Sequence, residues 1–166
     1  MKHKSEGNNR MGRIALIRID DRLIHGQVTT AWLRVYDANT IIIANERVAN
    51  SPVYKSIFSV ATVPGKDIVL LSPIEAAEMI KKSTANNSFF VITPTPVDVV
   101  TLMDHGVEVK KINVGGLQGR PNTKKLARVV YATPDEEKAF IELKNRSVEM
   151  EVQMVPTDRV AYLDLK

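Results

Sequence analysis

His25 is surrounded by charged residues whose types and spacing suit the handling of a phosphoryl group. A neutral imidazole is a nucleophile, and a carboxylate from Asp20 or Asp21 that accepts a hydrogen bond from one ring nitrogen leaves the other free to react. Arg22, three residues before the histidine, offers a planar set of donors to phosphate oxygens. These residues predict an acceptor, an orienting carboxylate and an anion clamp within one short segment.

The flanking sequence predicts that His25 lies in a turn between a strand and a helix. Residues 14–17 form an apolar run of strand type, and apolar residues then recur at helical spacing from 28 to 36. Free backbone N–H groups and the helix dipole stabilise an anion at such a helix start, so Gly26 and Gln27 are predicted to help bind the phosphoryl group. A solvated or helix-capping histidine is the competing interpretation at this point.

The rest of the chain predicts an α/β fold. Four helix starts are marked by a hydroxyl residue followed by proline, at Ser51-Pro52, Ser72-Pro73, Thr95-Pro96 and Thr133-Pro134. An acid at the capping-box position follows in three of them, as Glu75, Asp98 and Glu136. Short apolar runs predict buried strands at residues 40–44, 68–71, 89–92, 111–114 and 129–131. This alternation predicts an open, mainly parallel sheet with helices on both faces.

The two ends of the chain read differently from its middle. Residues 148–154 alternate between apolar and polar types, which predicts an edge strand at the C-terminal end, and we expect it to be antiparallel. Residues 1–11 are polar and lack periodicity, so we interpret them as a disordered extension or as sequence added for expression. Residues 12–166 then form a single domain.

Composition excludes several classes of function. There is no cysteine and there are three scattered histidines, so neither a thiolate nor a histidine cluster is expected to hold a metal, and no cofactor is predicted. The net charge is +4, and Lys2, Lys4 and Arg10 against Glu6 place +2 of it in the first 11 residues. The body is therefore only mildly basic, which favours a solvated surface or an acidic protein partner over nucleic acid. The chain lacks a long apolar run and an apolar leader, so we expect a cytoplasmic protein.

Residues 18–28, with the sequence RIDDRLIHGQV, resemble the phosphorylation-site segment of a known family. The family comprises the IIB components of the mannose, fructose and sorbose class of the bacterial phosphotransferase system. Similar segments follow at residues 48–50, 72–77, 109–116 and 155–156, so the resemblance covers nearly the whole chain from residue 14. It implies a protein-N-phosphohistidine:sugar phosphotransferase component, with His25 as phosphoacceptor, Arg22 on the phosphoryl group and Asp20 supporting the imidazole.

The resemblance also implies partners. A IIA component donates the phosphoryl group from its own phosphohistidine, and the membrane subunits IIC and IID hold the sugar that receives it, so peripheral association with the membrane is expected. Mannose, fructose, sorbose and amino-sugar systems are not separated by this sequence. Self-association of the chain is left open.

Further site residues follow from the sheet that the family implies. Ligands gather at the carboxyl ends of parallel strands, and the family arrangement brings Thr93 and Thr95 beside the histidine. Either hydroxyl is a candidate donor to the phosphoryl group, with capping of a helix by Thr95 as the alternative. Arg18 is a candidate ligand of the same group, with a surface ion pair as its alternative. Gly115 and Gly116 are expected to form a tight turn.

Two other functions use the same acceptor. A phosphohistidine phosphatase or mutase would lose the group to water or to a small molecule, and would need a general acid near His25. A regulatory protein would instead have its phosphorylated surface read by a partner.

Overall fold

The computed structural model describes residues 11–166, and its centre is a six-stranded parallel sheet. The sheet has the strand order β3-β2-β4-β1-β5-β8. Its strands are β1 (Arg13–Asp20), β2 (Thr40–Ala44), β3 (Asp67–Leu71), β4 (Ser88–Thr93), β5 (Lys111–Gly116) and β8 (Glu149–Val152). All five strand pairings run parallel, which confirms the predicted open parallel sheet.

Helices cover both faces of this sheet. They are α1 (Gly26–Val35), α2 (Glu46–Ala49), α3 (Pro52–Val60), α4 (Pro73–Lys82), α5 (Pro96–Asp104) and α6 (Pro134–Asn145). Apolar side chains of α4, α5 and α6 pack with Ile17 and Ile19 on one face. Those of α1 and α3 pack with Leu16 on the other face, because successive side chains of β1 alternate between the two sides. Arg18 and Asp20 therefore project on the α1 side.

The four helix starts that the sequence predicts are confirmed, each with proline at its start and a hydroxyl cap. Full capping boxes form at α4, between Ser72 and Glu75, and at α6, between Thr133 and Glu136. The predicted box at α5 is wrong. The Asp98 carboxylate turns inward and accepts a hydrogen bond from Asn45 Nδ2 at 3.0 Å, so it does not reach the start of its own helix.

β8 lies at the edge of the sheet, as predicted, but the prediction that it is antiparallel is wrong. It pairs with β5 in parallel, because α6 carries the chain back along the sheet before β8 begins. The apolar and polar alternation reflects the missing second layer at this edge. Met150 and Val152 are buried under α6, whereas Glu149 is exposed.

The expected strand at residues 129–131 forms outside the main sheet. β6 (Lys124–Ala127) and β7 (Val130–Ala132) make a small antiparallel pair, which a bridge between Leu117 and Val130 ties to the end of β5. Leu126, Val130 and Ala132 of this pair are buried, which is why the apolar run resembled a strand of the core.

The interpretation of residues 1–11 as an extension falls almost wholly on residues that the structure does not describe. Residues 1–10 lie beyond it, and Met11 is exposed. Within residues 11–166, no helix is long and apolar enough to cross a membrane.

Candidate functional site

The turn that carries His25 joins the carboxyl end of β1 to the first residue of α1. It is tight, because Leu23 has a φ of 61° and Gly26 a φ of 48°, both in the left-handed region. Glycine adopts that conformation freely, whereas leucine is strained there and needs other contacts to hold it. Leu23 has those contacts, since its side chain is buried among apolar residues of α1 and the sheet.

Hydrogen bonds to the neighbouring strand fix the turn in place. The backbone N–H of Asp21 donates to the carbonyl of Gly116 at 3.2 Å, and the carboxylate of Asp21 accepts from the backbone N–H of Gln118 at 2.7 Å. Burial raises the pKa of Asp21, and its Oδ1 atom is buried without a hydrogen-bond partner among the described residues. Asp21 thus anchors the turn to the end of β5, and it is Asp20 that approaches the imidazole.

The Asp20 carboxylate is the centre of the site. Its side chain is fully buried, at 0% exposure, and accepts hydrogen bonds from three side chains. Oδ2 accepts from Arg18 Nη2 at 2.8 Å, from Arg22 Nη2 at 3.2 Å and lies 2.9 Å from His25 Nε2. Oδ1 accepts from the backbone N–H and from Nε of Arg22, both at 3.1 Å.

These partners keep Asp20 ionised although it is buried. Burial acts to raise the pKa of the Asp20 carboxyl, but the hydrogen bonds from Arg22 and His25 and the charge of Arg18 outweigh it, so the pKa lies below its ordinary value. An ionised carboxylate accepts a hydrogen bond from a nitrogen that carries a proton. We therefore assign a hydrogen to Nε2 of the His25 ring.

His25 is partly exposed at the start of α1. The residue is the N-cap of α1, yet its side chain makes no capping hydrogen bond, and 25% of the side chain is exposed. Nδ1 forms no hydrogen bond with any described residue, so in this tautomer its lone pair is free. The arrangement provides a nucleophile at the surface with its orienting carboxylate behind it.

The two arginines have different surroundings. Arg22 is 33% exposed and lies at the rim of the site, where it reaches Asp20 from the solvent side. Arg18 is 2% exposed and lies beneath, so its predicted alternative, a surface ion pair, is wrong: the partner is the buried Asp20. Strand alternation explains the burial, because Arg18 projects between the sheet and α1.

The remaining predicted residues fall into three places. Gly26 and Gln27 are exposed in the first turn of α1, beside His25. Thr95 caps α5, with its hydroxyl accepting from the N–H of Val97, as its alternative role predicted. The Thr93 hydroxyl donates to the Thr95 carbonyl at 3.1 Å. Thr93 is in register with Ile19, so it faces the α4–α5 layer, opposite to Asp20.

Two further residues have structural roles. Trp32 is buried in the core on the α1 side. His105 is the C-cap residue of α5, and its Nδ1 lies 2.9 Å from the carbonyl of Thr101.

Sequence reasoning missed the groups that surround Arg18. Asn113 Oδ1 accepts from Arg18 Nη1, and the carbonyls of Gln153 and Met154 accept from Nη1 and Nη2 at 3.1 and 3.0 Å. Gly115, expected in a turn, lies within β5, where a side chain would overlap the Arg18 guanidinium. The distance along the chain hid these contacts, although an asparagine and a glycine in an otherwise apolar strand were a usable signal.

The described part of the chain contains no group of three or more histidine, cysteine or acidic residues that could hold a metal ion.

Comparison with known proteins identifies the fold and its relatives. A family model described as the sorbose subfamily IIB component of the phosphotransferase system matches residues 14–165. The chain is 36% identical over 147 residues to the sorbose-specific EIIB component of Klebsiella pneumoniae, covering 88% of this chain and 90% of that protein. It is 33% identical to the mannose-specific EIIAB component of Escherichia coli, covering 98% of this chain and 51% of that longer protein.

A solved structure agrees with these matches. The crystal structure of the IIB domain of the Klebsiella pneumoniae sorbose permease superposes with a TM-score of 0.81 at 34% identity, and the match covers 90% of this chain and 92% of that one. The likeness thus extends over nearly all of the sheet and helices described above.

Proposed function

The chain belongs to the sorbose subfamily of phosphotransferase-system IIB components, and from this premise we propose that His25 accepts the phosphoryl group at Nδ1. A IIB component is a phosphocarrier in sugar transport. The observation that carries the assignment is the position of Asp20 Oδ2, 2.9 Å from Nε2, with Nδ1 unbonded and part of the ring exposed.

The transfer is a displacement at phosphorus. The lone pair of Nδ1 forms the new N–P bond while the N–P bond of the donor phosphohistidine breaks, and its electron pair returns to the donor ring. If the other nitrogen of the donor ring holds a proton, that ring leaves as neutral imidazole. The His25 ring keeps its proton on Nε2 and becomes positively charged, and the adjacent Asp20 carboxylate stabilises that charge.

Arg22 and the first turn of α1 bind the transferred group in this proposal. Arg22 is the exposed cation of the site, so its guanidinium can turn from Asp20 to the equatorial phosphoryl oxygens. The backbone N–H groups at Gly26 and Gln27 lack partners within the helix and supply further donors. Thr93 and Thr95 are left out, because their hydroxyls are engaged with backbone groups.

The onward step returns His25 to its starting form. A hydroxyl oxygen of the sugar forms the new P–O bond, the Nδ1–P bond breaks with its electron pair returning to Nδ1, and the hydroxyl proton passes to solvent. We propose that the sugar is held by the membrane subunits IIC and IID and that the donor is a IIA component. The mannose-specific EIIAB relative supports the second part, because its name joins a IIA and a IIB component in one protein.

The same proposal gives the location and organisation of the chain. Residues 12–166 act as one domain, which is supported by the family match over residues 14–165 and by the single main sheet. The domain works in the cytoplasm, at the membrane subunits. Self-association is left open, and sedimentation of the purified chain tests it.

Transfer from a phosphorylated IIA component of the sorbose or mannose class tests the function. The wild-type chain is expected to retain acid-labile phosphate, and His25→Ala is expected to abolish labelling. His105→Ala is the matched control, because that imidazole caps α5 and is expected to leave labelling intact. Full labelling of His25→Ala would refute the assignment.

A second stage separates the carrier from its alternatives. Membranes that contain IIC and IID, with their sugar, are expected to remove the label from the wild-type chain and yield sugar phosphate. Rapid release of inorganic phosphate without membranes would instead indicate a phosphatase. A label that membranes and sugar leave in place would indicate a regulatory protein.

A further inference from the structure

We propose that Arg18, with Asn113 and Gly115 around it, is a positioning residue that holds Asp20 so that phosphorylation is directed to Nδ1 of His25. The inference rests on the proposed function of His25. It assigns Arg18 a role without contact to the phosphoryl group, in contrast to the ligand role that the sequence suggested.

The hydrogen bonds of Arg18 leave its terminal nitrogens fully occupied. Nη1 donates to Asn113 Oδ1 and to the carbonyl of Gln153, and Nη2 donates to Asp20 Oδ2 and to the carbonyl of Met154. These two nitrogens carry four N–H groups, and four acceptors take them. With 2% exposure as well, Arg18 has no terminal donor to offer an incoming phosphoryl group.

The space around the guanidinium is closed on several sides. The Trp32 ring centroid lies 5.2 Å from the guanidinium carbon, and Trp32 Nε1 donates to the same Met154 carbonyl at 3.0 Å. A methyl group added at Gly115 would fall within 3.0 Å of three guanidinium atoms, closer than side chains approach other heavy atoms. Glycine at this position is thus required by the side chain that lies over it.

Because Arg18 is held in place, it also holds the Asp20 carboxylate, which orients the imidazole of His25. Arg18 Nη2 and His25 Nε2 both bind Oδ2 of Asp20, so the arginine locates the oxygen that accepts the hydrogen bond from the ring. If this oxygen moved, the preference for hydrogen on Nε2 would weaken, and the second tautomer would expose a lone pair on Nε2. The expected failure is therefore a loss of selectivity between the two ring nitrogens as well as a loss of rate.

Gly115→Ala tests this inference without removing any polar group. Its added methyl group displaces the Arg18 guanidinium, and Gly119→Ala is the matched control because its methyl group would meet only the Tyr131 ring at ordinary contact distance, 3.8 Å. Each chain is labelled with phosphoramidate, whose P–N bond breaks with loss of ammonia as the histidine N–P bond forms. Nuclear magnetic resonance then identifies which ring nitrogen carries phosphorus and which carries hydrogen.

We expect the wild-type chain and Gly119→Ala to label at Nδ1 alone. Gly115→Ala is expected to label about tenfold to a hundredfold more slowly, the scale of loss when a reacting group is displaced, and to give a mixture of both phosphohistidine isomers. Labelling of Gly115→Ala at the wild-type rate and at Nδ1 alone would overturn the inference. A slower rate with Nδ1 selectivity retained would also overturn it, because general damage to the fold explains that result.

Asn113→Ala gives the same test if Gly115→Ala does not fold. It removes one acceptor from Arg18 and is expected to reduce selectivity for Nδ1 in the same assay. Unchanged selectivity would overturn the inference. Failure of the proposed function is distinct, because the wild-type chain would then carry no label on His25.

Discussion

Asp20 and Asp98 are two buried carboxylates that lie near the carboxyl ends of the parallel strands, and their surroundings are opposite in character. Asp20 ends β1 on the α1 side and accepts hydrogen bonds from Arg18, Arg22 and His25. Asp98 lies in the first turn of α5, in the layer on the other face, and its side chain accepts one hydrogen bond, from the neutral amide of Asn45.

This difference shows that burial raises the pKa of a carboxyl group here unless hydrogen bonds and charges from its neighbours outweigh it. At Asp98 burial raises the pKa to about 7, and the hydrogen bond from Asn45 offsets only part of that rise. At Asp20 burial acts in the same direction but is outweighed, so its pKa is lowered. The first carboxyl group is built to stay charged beside a nucleophile, and the second joins two helices.

Asp20→Asn is expected to have the largest effect on this comparison. The amide keeps the shape but not the charge, so the His25 tautomer is no longer selected and Arg18 is left buried without an opposite charge. We expect labelling by phosphorylated IIA to slow by about 10³-fold or more and the free energy of unfolding to fall by about 3–5 kcal/mol. Labelling kinetics and urea unfolding measure the two effects, and a labelling rate equal to that of the wild-type chain would contradict the role of Asp20.

Arg22→Lys gives an intermediate effect and separates the rim of the site from its interior. Lysine keeps the positive charge but loses the planar set of donors that can bind two phosphoryl oxygens. We expect labelling to slow by about tenfold, the equivalent of about 1.4 kcal/mol, with little change in unfolding because the side chain is partly exposed. A loss of stability as large as that of Asp20→Asn would show that Arg22 belongs to the interior.

Asp98→Asn is expected to leave labelling within about twofold of the wild-type chain and to change the pH dependence of stability. Because the folded pKa of Asp98 lies above its ordinary value, its contribution to stability is complete below about pH 4 and is lost as pH rises to about 7, by about 1.4 kcal/mol per unit. The variant should lack this decline. Urea unfolding between pH 4 and 8 measures it, and an unchanged slope would contradict the assignment.

Asp20 contributes with the opposite sign, which sharpens the contrast. Its folded pKa is lowered, so its contribution is present above its ordinary pKa and is lost as pH falls through the folded value. Asp98 therefore contributes as pH rises from about 4 to about 7, in the same direction as Asp21, whose pKa burial also raises, and Asp20 contributes in the acid limb below.

The sequence predicted those parts of this arrangement that depend on neighbours along the chain. The position of His25 between β1 and α1 followed from apolar spacing, and the helix starts followed from hydroxyl residues placed before proline. These features need only contacts within a few residues, and the resemblance at residues 18–28 added the family.

The features that sequence reasoning missed depend on contacts between distant residues. Asn113 and the carbonyl of Met154 reach Arg18 across 95 and 136 positions, and the two carbonyl acceptors of Arg18 carry no side-chain signal at all. The parallel direction of β8 depends on the path of α6, and the inward turn of Asp98 depends on Asn45. At these positions, contacts with residues distant in the sequence outweigh the local conformational preference.

A single ring nitrogen without a hydrogen-bond partner among the described residues has a consequence for the rate of transport. On the proposed assignment, the molecule that delivers phosphorus and the one that collects it must occupy the same few ångströms in turn, so neither can arrive before the other departs. The rate at which each complex dissociates after transfer then limits the rate of transport. An unusually long-lived complex on either side would slow uptake, however fast the chemical step.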